Sequence, residues 1–450
     1  MRKHLIGLLL CWGVTWPLAA QSCLPSGIIL STQTQMDGFI FAFPDCDTIG
    51  GNVTIAADSE DPIVDLSSLS NIVAIEGDLT ISDHLNLTTL EGLNQLAWVG
   101  GTINLVGNQQ LTDLLALQDL REIGGLVIAQ QDSLQVIEGF AQLLRIHGDL
   151  IIQENPLLQE IRGFEQVDSL QGNSLILDNP ALHTIDGFDA LLAIDGDLEV
   201  NNNTVLTTMQ AWSNLQQIGL GLSIRQNETL NALPTFTEID SIGESLSLIG
   251  LPQVPEIPAF PDLTYIGGSL HISELDLIEN LDGFAALNHT KQWLITENLA
   301  LQSIDSLSQI DPGSIQTLSI NFCPALSICA LENICSYLEL EIGLSDFDNN
   351  GTGCNDEQEI LDICNPPINS THEQQRLNIS AFPNPTTGIL QWTGPQVEFF
   401  QLFNAQGSLV QSIKNPASTI QLSADNTGFY WAQWSLAGAI HVEKIWYLPE

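Results

Sequence analysis

The stretch Asp346-Phe347-Asp348-Asn349-Asn350-Gly351, with Glu357 at the twelfth place, has the residue spacing of a calcium-binding loop. Asp346, Asp348, Asn350 and Glu357 would supply the hard oxygen ligands that calcium takes. Gly353 stands where such a loop carries an apolar residue, and Cys354 lies within it. The competing reading is therefore an Asn/Gly bend in a cysteine-bearing cap. Calcium is the one cofactor the sequence raises. The histidines at 84, 147, 183, 271, 289, 372 and 441 are scattered. None forms an H-E-x-x-H pair, and neither a G-x-S-x-G elbow nor a phosphate-cradling glycine loop is present. No catalytic residue is assigned, and the expectation is a protein that is not an enzyme.

What must position these residues is a phrase that recurs along the chain. It reads Gly77-Asp78-Leu79-Thr80-Ile81, Gly101-Thr102-Ile103-Asn104-Leu105, Gly148-Asp149-Leu150-Ile151-Ile152 and Gly196-Asp197-Leu198-Glu199-Val200. The first apolar residue of each phrase falls at Val53, Leu79, Ile103, Leu126, Leu150, Leu175, Leu198, Leu222, Leu246, Leu270, Trp293 and Leu318. A period of roughly two dozen residues is one solenoid turn, because a unit that short cannot bury its own apolar face. The fold expected is mainly β, a solenoid of about 12 turns.

Strand alternation points Leu150 and Ile152 inward and Ile151 and Gln153 outward. Gly148 opens its strand where crowding or a positive φ excludes a β-carbon. Leu158 and Ile161 pack on a second side, and Phe164 and Val167 to Leu170 lie on a third. Asn108, Asn155, Asn203, Asn227 and Asn298 recur after the strands, with Asn179 in the same row. Stacked amides at a bend form an internal hydrogen-bonded ladder. Cys323 has the same offset and is expected in that row, unpaired.

Outward strand positions are polar in most turns: Thr80 and Ser82, Glu199 and Asn201, Ser223 and Arg225, His271 and Ser273. At Val106, Val127, Ile151 and Ile176 they turn aliphatic. Stacked rungs would place these four side chains in one exposed ladder, the candidate partner-binding surface.

Composition narrows the partners. Fifty-four acids against 10 bases give a net charge of −44. Such a field repels phosphate backbones, so no nucleic acid partner is expected. Hydrophobic residues make up 44% of the chain, enough for a continuous core. Residues 1–20 read as an export signal: Arg2 and Lys3, an apolar run from Leu5 to Trp16, then Leu18-Ala19-Ala20. No later segment reaches the ~18 apolar residues of a membrane span. Of eight cysteines, one lies in the signal, leaving Cys23, Cys46, Cys323, Cys329, Cys335, Cys354 and Cys364 at the two ends of the array. Cys23 and Cys46 can staple an N-terminal cap. The other four besides Cys323 admit three pairings.

The phrases IEGDLTIS, IGGSLHIS and GDLIIQENPLLQEI resemble the receptor L-domain, the repeat module of insulin- and EGF-receptor ectodomains. The resemblance runs from about Cys23 to Cys364 and implies a right-handed parallel β-helix with leucine-rich-repeat character, capped at both ends. It assigns 21–46 to the N-terminal cap, 47–328 to the solenoid and 329–364 to a cysteine-rich C-terminal cap. CALENICSYLE, with Cys354 and Cys364, is similar to the C-terminal cap of bacterial arrays of this module.

Residues 365–376 are a polar, proline-bearing linker. Short alternating strands follow over 377–450, expected as a small β-sandwich. FPNPTTG, NAQGSLVQ, GFYWAQW and a last strand carrying Lys444 resemble the C-terminal sorting domain of the type IX secretion system of Bacteroidetes. On that resemblance Pro383, Asn384, Pro385, Gly388 and Lys444 are the sorting-motif residues. The secretion machinery becomes a partner, and the chain is exported to the surface or medium.

Together these readings give a secreted or surface-attached recognition or adhesion protein that holds a protein on its outer face. A glycan-binding role is the alternative. It needs aromatic platforms, and the solenoid offers only Trp98, Trp212 and Trp293. A lyase-like enzyme would need a basic cluster, and the outward positions offer only Arg225 and His271.

Overall fold

The computed structural model describes residues 22–365 and 379–448, apart from 211, 341–342, 383, 385, 395, 406, 424–426 and 437–438. The expected export signal at 1–20, residues 366–376 of the expected linker, Pro383 and Pro385 lie outside the described residues. The chain divides into two units, Met1–Asn365 and Pro366–Glu450.

In the first unit, four-residue strands stack in parallel along the chain. Val53–Ala56 pairs with Leu79–Ser82, Leu150–Gln153 with Ser174–Leu177, and Leu222–Arg225 with Leu246–Ile249. The row extends one strand beyond the sequence reading at each end. Ile28–Leu30 pairs with Val53–Ile55, and Leu344–Asp348 pairs with Thr317–Asn321. A second row of two-residue strands, such as Arg145–Ile146 and Ser169–Leu170, runs beside the first. Together they make a 23-stranded sheet. On another side of the coil, Val136–Ile137, Glu160–Ile161, Thr184–Ile185 and Thr208–Met209 form a short parallel sheet. The strands are short because each coil must turn after a few residues to bury its leucines.

The core follows the predicted inward positions. Leu150, Ile152, Leu158, Ile161, Phe164, Val167 and Leu170 are all buried. Aromatic rings stack from coil to coil: Phe140 on Phe164 at 5.0 Å, Phe164 on Phe188 at 5.0 Å, and Phe188 on Trp212 at 5.4 Å. Trp212 and Trp293 are fully enclosed and present no platform to solvent.

Helices close the ends. Helix α1 (Gln33–Ala42) starts at Thr32, whose hydroxyl accepts from the Gln35 N–H at 3.1 Å. Its Met36 and Phe39 are buried in the solenoid core. Cys23–Cys46 staples this end. Helices α2 (Glu332–Leu340) and α3 (Glu357–Cys364) close the other, where Cys329 bonds Cys354 and Cys335 bonds Cys364. These bonds select one of the three open pairings. Cys323 is the free, buried cysteine.

In the second unit, a three-stranded and a four-stranded antiparallel sheet contribute to one buried cluster, with Trp392, Phe400 and Trp434 at its centre. Asn384 ties its loop to the last strand: its amide donates to the Lys444 carbonyl at 2.8 Å, and its oxygen accepts from the Trp446 N–H at 2.9 Å. Gly388 has φ +128°. The Lys444 ammonium lies 4.3 Å from the Phe429 ring centroid and 5.6 Å from that of Trp431.

Candidate functional site

Two polar ladders bracket the main strands and fix what the outer face shows. At the strand exits, Asn108, Asn155, Asn179, Asn203, Asn227 and Asn298 are buried, as expected of an internal ladder. Each side-chain oxygen accepts from a backbone N–H in the preceding coil: Asn179 from Asn155 at 3.1 Å, and Asn203 from Asn179 at 3.1 Å. Each side-chain amide donates backwards, as from Asn179 to the Ile152 carbonyl at 3.1 Å. Gln131 occupies the same place in its coil.

His84 stands in this row as well. Its Nε2 donates to the Ile55 carbonyl at 3.1 Å, the bond that Asn108 makes to Ile81 one coil on. Burial holds the His84 imidazole below its ordinary pKa of 6.5, so it is neutral at neutral pH. Cys323 replaces the amide as expected. Its thiol lies 3.4 Å from the Asn321 carbonyl and 3.9 Å from that of Ile295, and burial pushes its pKa up.

A second ladder runs along the strand entrances. The Thr102 N–H donates to Asp78 at 2.8 Å, Asn173 to Asp149 at 2.8 Å, Asp197 to Asn173 at 2.9 Å and Gly221 to Asp197 at 2.7 Å. This row explains the polar residue after the glycine at Asp78, Asp149, Asn173 and Asp197, which sequence reasoning left without a role. The glycine itself is required by crowding. A β-carbon on Gly148 would sit 2.6 Å from the Gly124 carbonyl oxygen, and Gly148 has no positive φ.

The entrance ladder also sets the register of the coil containing Ser174. Gly172-Asn173-Ser174 aligns with Gly148-Asp149-Leu150, so Ser174 pairs with Leu150 and points inward. Ile176 is therefore a core residue and is withdrawn from the predicted surface. Leu175 and Leu177 face outward in its place. The apolar triplet Leu-Ile-Leu could be read in either register, and the Gly-Asx pair was the signal that decided it.

On the outer face, Val127, Ile151 and Leu175 stand in direct register on successive strands. Val106 does face outward, but it belongs to the neighbouring column, opposite Ala129; Gln153 follows Ala129 in that column and Leu177 follows Gln153. These side chains are half-buried by one another, except Ala129, which is covered. The result is one continuous aliphatic column, Val127, Ile151 and Leu175, flanked by Val106 and Leu177 on either side of Gln153. Polar residues bound it: Thr80, Ser82 and Asn104 on one side, Glu199 and Asn201 on the other.

The proposed calcium ligands do not form a loop. Asp346 and Asp348 lie on the last strand of the array. The Asp346 carboxylate accepts from Asn321 at 2.8 Å, and the Glu357 carboxylate accepts from Ser345 at 2.7 Å. Asn350 belongs to the buried ladder: its oxygen accepts from the Cys323 N–H at 3.0 Å, and its amide donates to the Ile320 and Cys354 carbonyls. Asn350 is thus a structural residue, and the bend reading describes this segment. Among the described residues, no three His, Cys, Asp or Glu side chains are grouped to hold a metal ion.

Among the described residues, no helix is long and apolar enough to cross a membrane. The three disulfides are compatible with an extracellular protein. Residues 45–139 match the family model of the receptor L domain. That segment includes Val106 and Val127 of the aliphatic patch. No curated protein matches the chain.

Proposed function

We propose that this is an extracellular, non-catalytic recognition protein that holds a protein partner on the outer face of its parallel sheet. The observation that carries this reading is the continuous aliphatic column Val127, Ile151 and Leu175, with Val106 and Leu177 beside it and Gln153 between those two. Contiguous aliphatic surface of this kind marks an interface. Its side chains suit a protein surface, since sugar platforms use aromatic faces. The receptor L domain match over 45–139 supports ligand recognition outside the cell.

The test uses the full chain, offered to intact cells and extracellular protein fractions beside a glycan array and a polysaccharide turnover assay. The expected result is protein binding that Ile151→Asp weakens at least about tenfold, with the thermal midpoint unchanged. Equal binding by the variant would remove the patch from the reading. Selective glycan capture or polysaccharide cleavage would replace it.

The second unit serves export by the type IX route in this proposal. The support is its resemblance to the sorting domain, together with Asn384 and Lys444 meeting on the last strand. Deleting 377–450 is expected to trap the folded chain in the periplasm. Normal release of the truncated chain would refute the export role.

A further inference from the structure

We infer that the same outer face carries a carboxylate-accepting socket built from Arg225, Ser247 and His271, and that the partner places an Asp or Glu side chain in it. This rests on the recognition role proposed above for the aliphatic patch.

Arginines are scarce in a chain of net charge −44, and two in the solenoid are neutralised by their own neighbours. Arg145 pairs with Glu122 at 3.1 Å, and Arg162 pairs with Glu138 at 2.7 Å. Arg225 differs. It lies on the main sheet, outward and exposed, and no carboxylate among the described residues forms an ion pair with it. Its guanidinium is aimed by one hydrogen bond, Nη2 to Ser247 Oγ at 3.0 Å. Glu199 occupies the rung before it, but that carboxylate accepts from Asn201 at 3.0 Å.

The surroundings are shaped for a short anion. Ser223, Ser247 and Ser273 occupy outward positions yet are nearly covered. Small side chains there leave the guanidinium standing over a low shelf. His271 is directly in register with Ser247. Burial, and then the charge of Arg225, lower its pKa, so it stands as a neutral hydrogen-bonding group beside the arginine. A guanidinium with free donors matches a carboxylate in geometry as well as charge.

Aliphatic side chains flank the shelf. Leu177 lies two rungs before Arg225 in the same column, about 10 Å away. Ile249 is in register with Arg225, and Leu294 with His271. The occupant that fits is a protein segment in the extended polyproline-type conformation, whose three residues per turn put an acidic side chain and an aliphatic one three residues away on the same face, about 9 Å apart.

The probes are the capped peptide Ac-Leu-Val-Ser-Glu-NH2 and its glutamine counterpart, titrated against the full-length chain. The glutamate peptide is expected to bind about tenfold tighter or more. Arg225→Gln is expected to erase that preference with no change in thermal midpoint, and Arg225→Lys to restore part of it. Ile151→Asp is expected to weaken both peptides while keeping the preference. A wild-type chain that shows no preference for glutamate, or binds neither peptide, overturns the socket. So does a preference that survives Arg225→Gln. If the preference holds but Ile151→Asp changes nothing, the socket stands and the aliphatic reading falls.

Discussion

Replacing Asn179 with leucine is expected to lower the stability of the solenoid by about 3–6 kcal/mol, read as a shift in the urea unfolding transition. The side chain makes bonds in both directions. Its oxygen accepts from the Asn155 N–H at 3.1 Å, and its amide donates to the Ile152 and Leu177 carbonyls at 3.1 and 2.9 Å. Removing it strands two or three buried polar groups, each costing about 1–3 kcal/mol. Leucine fits the site in size, because Leu251 and Leu275 follow the left-handed corners at Gly250 and Glu274 in their own coils and are fully buried. The loss therefore measures hydrogen bonding and not overpacking. Asn179→Cys is the paired control. Cys323 shows that a thiol can approach the same two carbonyl positions, so the cysteine variant is expected to lose less. Equal stability of wild type and Asn179→Leu would mean that the ladder is ornamental.

The second large effect is expected at Gly243. A β-carbon there would collide with the Gly219 carbonyl oxygen, and Gly267 meets Gly243 in the same way. Gly243 has no positive φ, so alanine suffers only from the contact. The coil carrying Leu246–Ile249 must lift away from its neighbour to relieve it. Overpacking of this kind costs about 1–3 kcal/mol. Gly38→Ala is the contrast. It lies within α1 with nothing near its missing β-carbon, and alanine there is expected to stabilise by about 0.5–1 kcal/mol. Thermal unfolding of both variants checks the pair. A neutral Gly243→Ala would show that the coils can separate freely.

Most of the solenoid was legible because its period is set by what a single coil cannot do alone. Leu150, Ile152, Leu158 and Ile161 had to face inward for any coil to persist, and the Asn row had to satisfy the bends. Register was harder where apolarity ran on both faces. At Ser174-Leu175-Ile176-Leu177, hydrophobicity favoured the wrong choice, and the entrance ladder through Asp149, Asn173 and Asp197 made the right one. Its role was invisible along one coil, since each bond joins residues 24 apart. The same limit hid His84 as a ladder member and turned Asn350 into an apparent calcium ligand. Spacing within a segment mimicked a binding loop, while the partners that claim Asn350 lie at Ile320, Cys323 and Cys354. Val106, Val127 and Ile151 do face outward, because alternation from a well-placed inward residue leaves no freedom, but Val106 falls in the neighbouring column and not in one ladder with the other two.

A stack of parallel strands contains no instruction to stop. Its first and last members each offer an open row of donors and acceptors on which another chain could grow. Here Ile28–Leu30 lies beside α1, and Leu344–Asp348 beside α3. Sulfur bridges pin both closures. The array is thereby of fixed length: the number of its coils is written into the chain, and the spacing between Ile151 and Arg225 is the same in every copy.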